Sequence, residues 1–551
     1  MTTEPGQPAA TPRTGGAATV ALGILSSRLI GLVREQALAR FFGVGPHADV
    51  FRAAMRAPNV LQNLLGEGTL SAAFIPIYSR MLEEGRRDEA GRFAGAVFGL
   101  LLAASATLSL LGVLLARPIV ALLAAGFLQD RGGAVDRYEL TVAAVRIIFP
   151  MTGVLVLSAW ALGVLNSHRR FLLSYFAPVL WNAAIIAALI WVGGLRDADT
   201  FSLAALDRLL FAACWGALLG GLLQFLVQLP TVAREMRGFR LSLSTRVPGV
   251  RQALSAFAPV VAGRGVVQLA SYLDLFLAAL LAQGAVSALG YGQTLYTLPI
   301  SLFGMSVAAA ELPEMARLRR EGDDSALLPR VRRSMRQTAF LNVPTFAGFL
   351  AFGFLLVGAL FRFRSGRFGV EDNWLVYLVL CGYTVGLLPA TLSRQLQNTF
   401  YALGDTRAPA RIAAARVALS AAMAYPLMRW LDGIQVAAVA PIGDTGGVLR
   451  LGAVGLALAS GVASWLELLL LRRALARSAP GPVVPWRELG RMAVLAAAAA
   501  VTAALVWWAL PPVHVALQAL AVLGTYAAGY LLLARMTGAE ELGFWVGRLR
   551  R

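Results

Sequence analysis

Along the chain, apolar stretches of bilayer length alternate with short polar connections rich in arginine. A helix needs roughly 20 predominantly apolar residues to cross a hydrocarbon core. Segments of that kind fall near residues 17–42, 49–78, 93–116, 139–165, 171–194, 207–230, 251–282, 286–315, 337–361, 374–402, 410–430, 451–471, 490–510 and 513–535. The pattern predicts an all-α polytopic membrane protein of about fourteen transmembrane helices. The second segment breaks the apolar rule along one face. Asp49, Arg52, Arg56, Asn59, Asn63 and Glu67 recur in steps of three or four, which places them on one side of a helix. At 1.5 Å per residue this stripe is about 27 Å long, close to the hydrocarbon thickness. Lipid does not tolerate such a face, so it is expected to line a water-filled cavity or to pair with neighbouring helices.

Other segments carry the same kind of signal. The first holds Arg28 and Arg34, about 120° and about 9 Å apart on a helix. Arginine is suited to bidentate binding of phosphate. The competing reading is ion pairing inside the membrane with Glu35, Asp49 or Glu67. Pro58 is expected to kink the second segment. The seventh carries Arg264, Gln268, Ser271 and Asp274, and the eighth Thr294, Thr297, Ser301 and Glu311. An acid inside the membrane makes Asp274 the candidate for coupling to a monovalent cation, with a structural ion pair to an arginine as the alternative.

Composition sharpens the class. Of 551 residues, 58% are hydrophobic, and the net charge is +19 with arginine as the basic residue throughout, because the chain has no lysine. Most of these arginines are read as positive-inside loop charges and a handful as ligands for an anion. Loops with Arg80, Arg86, Arg87 and Arg92, with Arg169 and Arg170, and with Arg234, Arg237 and Arg240 are much richer than the loops opposite. The bias puts the rich loops and both termini in the cytoplasm. Cys214 and Cys381 stand alone in apolar runs, and His47, His168 and His514 are scattered, so neither a disulfide nor a metal site is expected. No nucleotide-binding loop or nucleophile motif is found, which argues against an enzyme, and no cofactor or nucleic-acid partner is expected.

An ungapped repeat gives the organisation. Ala72 to Gly85 (AAFIPIYSRMLEEG) overlies Ala309 to Gly322 (AAELPEMARLRREG) at a constant offset of 237 residues, with Pro76 on Pro313 and Arg80 on Arg317. Both copies leave a helix toward the same side, so the repeat is parallel. It predicts two six-helix lobes around a central cavity plus two C-terminal helices. The division is a disordered tail 1–16, an N-lobe 17–230, a cytoplasmic linker 231–250, a C-lobe 251–472, a second linker 473–489, two further spans within 490–535 and a cytoplasmic tail 536–551. The tail lacks the basic start of a cleaved signal, so the first span is expected to be retained.

The stretch from Ser26 to Leu82 carries a dense, ordered set: Ser27-Arg28, Gly31, Arg34-Glu35, Phe42-Gly43, Ala48-Asp49, Phe51, Pro58-Asn59, Glu67-Gly68, Phe74 and Pro76. It resembles the start of the MurJ (MviN) family of lipid II flippases in the MOP exporter superfamily. Weaker similarity runs through Gly284-Ala285-Val286-Ser287, Leu298-Pro299 and Gly404-Asp405-Thr406 to about residue 475. The resemblance implies translocation of lipid-linked peptidoglycan precursor from the inner to the outer leaflet of the bacterial cytoplasmic membrane by alternating access. It implies pyrophosphate-binding arginines at Arg28 and Arg34, with Asp49 and Glu67 as accompanying acids. Two family arginines are replaced, by Gln62 and Thr294, and Arg56 and Arg264 are expected to compensate.

The resulting substrate set is Arg28, Arg34, Arg52, Arg56, Asn59, Gln62, Arg264 and Thr294, with Glu35, Asp49 and Glu67 as gate or charge partners and Asp274 for ion coupling. The drive is membrane potential or a monovalent cation. The expected partners are lipid II, membrane lipids and cell-wall synthesis proteins, and the protein is expected to be a monomer. Two other readings stay open: a MOP-type exporter of another undecaprenyl-linked saccharide or an amphipathic drug, and a non-transporting scaffold of a cell-wall assembly complex.

Overall fold

The computed structural model describes residues 15–130, 134–194, 197–304, 324–441, 449–478, 484–511 and 513–549, with isolated residues between 304 and 324. Some side chains within helices, notably those of residues 262–271, also lie outside the described set. The second copy of the repeat, Ala309 to Gly322, falls largely outside it as well.

All regular structure among the described residues is helical. The helices that matter to the site are α1 (Gly15–Phe42), α2 (Pro46–Leu65), α3 (Glu67–Ala73), α4 (Ile75–Glu83), α5 (Arg87–Leu114), α6 (Ala116–Leu123), α7 (Arg137–Ser167), α8 (Phe171–Gly193) and α9 (Leu203–Glu235). They are followed by α10 (Val250–Ala279), α11 (Ala285–Pro299), α12 (Asp324–Phe361), α13 (Val370–Thr384), α14 (Leu387–Ala402), α15 (Arg407–Asp432), α16 (Gly452–Ser478), α17 (Trp486–Ala509) and α18 (Val515–Met536). Local chemistry sets several starts. Asp136 accepts the Glu139 N–H at the head of α7, Ser202 accepts the Ala205 N–H at the head of α9, and Asp405 accepts the N–H groups of Arg407 and Ala408 at the head of α15. The second span runs as helix through Pro58 and is interrupted at Gly66, where a Cβ would lie 2.3 Å from the Gln62 carbonyl oxygen.

Nine described helices are long and apolar enough to cross a membrane. Helix α1 carries Arg28, Arg34, Glu35 and Arg40, α2 carries the polar stripe, and α11 is short and passes into a π-turn over Ile300–Gly304. The charges on α1 and α2 call for surroundings other than lipid.

The helices pack in two groups. Helices α1, α2, α5, α7, α8 and α9 pack on one another, with α7 as the buried centre, and α11 to α16 form the second group around α13 and α16. The groups meet where α2 and α3 touch α10 and α11. Helices α17 and α18 pair and lean on α12. Their outer faces present Val494, Trp508, Leu520 and Met536, all exposed, as expected of a surface solvated by lipid.

The connection after α9 is held against α5 by shape. Gly91, Gly95 and Gly99 form one stripe of α5, and the extended segment 237–242 lies along it. A Cβ on them would sit 1.8, 2.2 and 2.3 Å from the carbonyl oxygens of Arg237, Arg240 and Ser242. Phe239 is thereby placed edge-on to Phe98, which in turn packs on Trp160. Gly95→Val is expected to cost about 1–3 kcal/mol by overpacking. Gly490→Ala on α17, where a Cβ meets nothing within 4 Å, is expected to be neutral or to stabilise by up to about 1 kcal/mol. Melting temperatures of the purified variants check the contrast.

Candidate functional site

A cavity of about 340 Å³ lies at the meeting of the two helix groups. Its walls come from α1, α2, α8, α10, α11 and α13. The i, i+4 spacing that looked improbable in lipid turns Arg52, Arg56 and Asn59 toward this space. Arg34, Glu35, Asp274 and Thr294 also line it.

One carboxylate organises the near wall. Glu35, 3% exposed, accepts a 2.6 Å bond from Arg34 Nη2 with one oxygen and a bond from Arg52 Nη2 with the other. The Arg34 guanidinium lies 5.1 Å from the Trp181 ring centre, and that of Arg52 lies 4.3 Å from the Tyr291 ring centre. Aromatic faces favour such cations, and the planar guanidinium suits them. Arg34 Nε is buried with no hydrogen-bond partner among the described residues. Arg56, on the next turn of α2, has no carboxylate within 4.0 Å among the described residues. Three guanidinium groups thus face the carboxylates of Glu35 and Asp274, which leaves the cavity with an excess of positive charge.

Asp49 does not share this space. It is fully buried and caps a helix of the other group. Its Oδ2 accepts the Gly284 N–H at 2.7 Å and Arg137 Nη1 at 3.2 Å, and its Oδ1 accepts the Ser287 N–H at 2.7 Å. Gly284 and Ser287 are the cap and third residue of α11, so the carboxylate satisfies donors that the helix leaves open and meets its positive end. The Ser287 hydroxyl donates back to the Gly284 carbonyl at 3.0 Å.

A second carboxylate repeats the device. Asp372 accepts the Val44 N–H at 3.0 Å and its own cap, Gly369, at 3.2 Å. Two main-chain bonds, Arg367 N–H to the Arg40 carbonyl at 2.9 Å and Ala198 N–H to the Ser365 carbonyl at 3.0 Å, join the groups beside it. The backbones approach closely at Gly43 (φ +58°) and Gly284 (φ +91°). Both adopt left-handed conformations suited to glycine, and a Cβ on either would lie 2.8 Å from an atom of the facing loop. Together these contacts form a latch between the helix groups at this end of the molecule.

Of the other residues singled out in the sequence, Arg28 is half-buried on α1 and Gln62 half-buried on α2, and neither lines the cavity. The side chains of Glu67 and Arg264 lie outside the described residues. The Thr294 hydroxyl donates to the Gly290 carbonyl of its own helix at 2.9 Å while facing the cavity. Trp181, Tyr291, Tyr383, Arg137 and Asp372 were not singled out. Each lies in a region whose local pattern reads as ordinary span or loop, and only packing brings it to the cavity or the latch.

Fold and cavity define a multi-pass membrane protein of two helix groups around a cationic chamber. The family described as "Lipid II flippase MurJ" matches residues 38–523, and the chain belongs to that family. It is 31% identical over 493 residues to the lipid II flippase MurJ of Burkholderia cenocepacia, covering 88% of this chain and 87% of that protein. It is 32% identical over 504 residues to a probable lipid II flippase MurJ of Rhizobium meliloti, covering 90% and 87%. Among solved structures it resembles a lipid II flippase MurJ in an inward closed conformation, with a TM-score of 0.71, 19% identity and coverage of 94% of this chain and 99% of that one. An inward-facing multidrug-resistance MATE transporter of the MOP superfamily shares the fold, with a TM-score of 0.60, 16% identity and coverage of 84% and 98%. Membership of the family makes this a multi-pass protein of the bacterial inner membrane.

Asp49→Ala is expected to cost about 3–5 kcal/mol, because Arg137 and the head of α11 lose a buried partner. In a chain without Cys214 and Cys381, a cysteine placed at the buried Ala48 is expected to be inert to thiol reagents. It should become reactive when Asp49→Ala is added; unchanged labelling would contradict the latch.

Proposed function

We propose that this chain translocates lipid II from the inner to the outer leaflet, holding the pyrophosphate on cavity arginines while the two helix groups rock about it. The observation that carries this reading is the chamber at their seam, where Arg34, Arg52 and Arg56 face two carboxylates. A wet, net-positive site inside a bilayer is costly unless an anion uses it. Arg52 is held by Glu35 and Tyr291 and acts mainly as a wall. Arg56, and Arg34 through its unpartnered Nε, are the groups with donors to offer. Arg28, off the cavity wall, is proposed as a more distant contributor, with Gln62, Asn59 and Thr294 as neutral polar ones.

A volume of about 340 Å³ is near the lower end of small-ligand pockets, which run from about 300 to 1,000 Å³. A saccharide-bearing pyrophosphate therefore needs the groups to part. The Asp49 and Asp372 latch supports parting at one end while the other end serves for entry. The arginine bias of the loops supports placing the latch on the outer side, with both termini inside. An inside-negative potential then favours outward movement of an anion by about 2.3 kcal/mol per charge per 100 mV.

Arg56→Ala is expected to lower lipid II transport in proteoliposomes by about 10- to 100-fold, the value of one charge-assisted bond. Arg56→Lys should recover part of it and Arg28→Ala should have the smaller effect. Full transport by Arg34→Ala and Arg56→Ala together, in folded protein, would defeat the proposed site. Equal transport of an unrelated lipid-linked saccharide would defeat the cargo and leave the exporter.

A further inference from the structure

Asp274 has a second face. Besides the main cavity it lines a side pocket of about 60 Å³ between α10, α15 and α16, closed by Arg416, Ser420 and Ser460. Asp274 is accessible from these spaces although helices surround it. The pocket has room for a few water molecules. A carboxylate and two hydroxyls are hard oxygen donors of the kind that take hard metal cations. Arg416 lines the pocket as well.

The charges around it close on themselves. Arg416 Nε lies 3.4 Å from Glu467 Oε2, and the other oxygen of Glu467 accepts Gln397 Nε2 at 2.8 Å. Glu467 is 4% exposed, so its charge needs a partner. Among the described residues, the cations whose charge acts on Asp274 are Arg56, from the main cavity, and Arg416, from the side pocket. Among the described residues, Asp274 and Glu467 thus face Arg56 and Arg416 within the membrane interior. An alkali ion entering beside Asp274 would add a third positive charge next to Arg416, in a medium that screens poorly. Arg416 Nε makes no hydrogen bond among the described residues, so its tie to Glu467 is the ion pair and not a hydrogen bond from that nitrogen.

We propose that Arg416 is a built-in cation: standing in the wall of the pocket beside Asp274, it carries covalently the charge that an exchangeable monovalent cation would otherwise supply. Asp274 is then shared between Arg416 and Arg56. An anion arriving on Arg56 competes with Asp274 for it and leaves the acid to Arg416. The coupling element is internal, and a sodium gradient has nothing to act upon. Removing the guanidinium leaves Asp274, Glu467, Ser420 and Ser460 around an uncompensated negative charge, which is a site for an alkali ion.

The test needs no cargo, so it stands apart from the lipid II reading. The full chain in nanodiscs is melted in NaCl, LiCl, KCl or choline chloride at one ionic strength, with tryptophan emission as readout. The unaltered protein is expected to melt at the same temperature in all four. Arg416→Ala is expected to gain a rise of several degrees specific to one alkali ion. Adding Asp274→Asn should abolish that gain, and millimolar guanidinium, the free form of the missing group, should suppress it. Arg416→Gln, which keeps the side chain's bulk, serves as the second variant should the alanine chain fail to fold. An ion-specific rise already present in the unaltered protein and lost in Asp274→Asn would overturn the proposal. So would indifference to the ion in both Arg416 variants.

Discussion

A charge buried between helices in a bilayer has to meet an opposite charge or a set of donors, and the architecture follows from how each one is met. Glu35 is held by Arg34 and Arg52, Asp49 by Arg137 and two backbone N–H groups, and Asp372 by N–H groups from two loops. The Glu35 pairing ties two consecutive helices, and the pairings of Asp49 and Asp372 tie elements far apart in sequence. Glu35 joins α1 to α2, Asp49 joins α2 to α7 and α11, and Asp372 joins α13 to the turn after α1. Breaking any of them leaves a partner unpaired in low dielectric, which costs far more than an exposed ion pair does. Isolated helices of this polarity would not be stable in lipid. They persist because more apolar helices, α7, α8, α9, α13 and α16 among them, pack against them.

The same constraint separates two kinds of polar group on one helix. Asp49 and Arg52 are less than a turn apart on α2, yet their roles differ. Asp49 is saturated by fixed donors and excluded from the cavity, whereas Arg52 and Arg56 line it. A saturated carboxylate at the head of α11 is a joint that holds or releases as a unit. Arginines with donors to spare are where an anion is received. Joint and receiving site lie on one rigid helix, so movement at one is felt at the other. That is the physical basis for linking cargo binding to movement of the helix groups.

Much of this was legible from the residues alone. Bilayer-length apolar runs determine a polytopic helical protein, because backbone groups in lipid are satisfied only within helices. The stripe on the second span determined that α2 faces something other than lipid, and Arg34, Glu35, Arg52, Arg56, Asn59, Asp274 and Thr294 do share one cavity. What periodicity cannot supply is the partner across the space. It marks Asp49 as polar and cannot tell that its partners are N–H groups 235 and 238 residues away. It marks Arg28 and Arg34 alike, although only Arg34 reaches the cavity wall. It does not show the interruption at Gly66 that divides the second span. Trp181, Tyr291 and Arg416 sit in spans whose composition hides them, and the packing of distant helices alone turns them toward a guanidinium or an acid. One-dimensional pattern determined which faces needed company; tertiary structure decided what kept it, because a buried charge is matched through space and not along the chain.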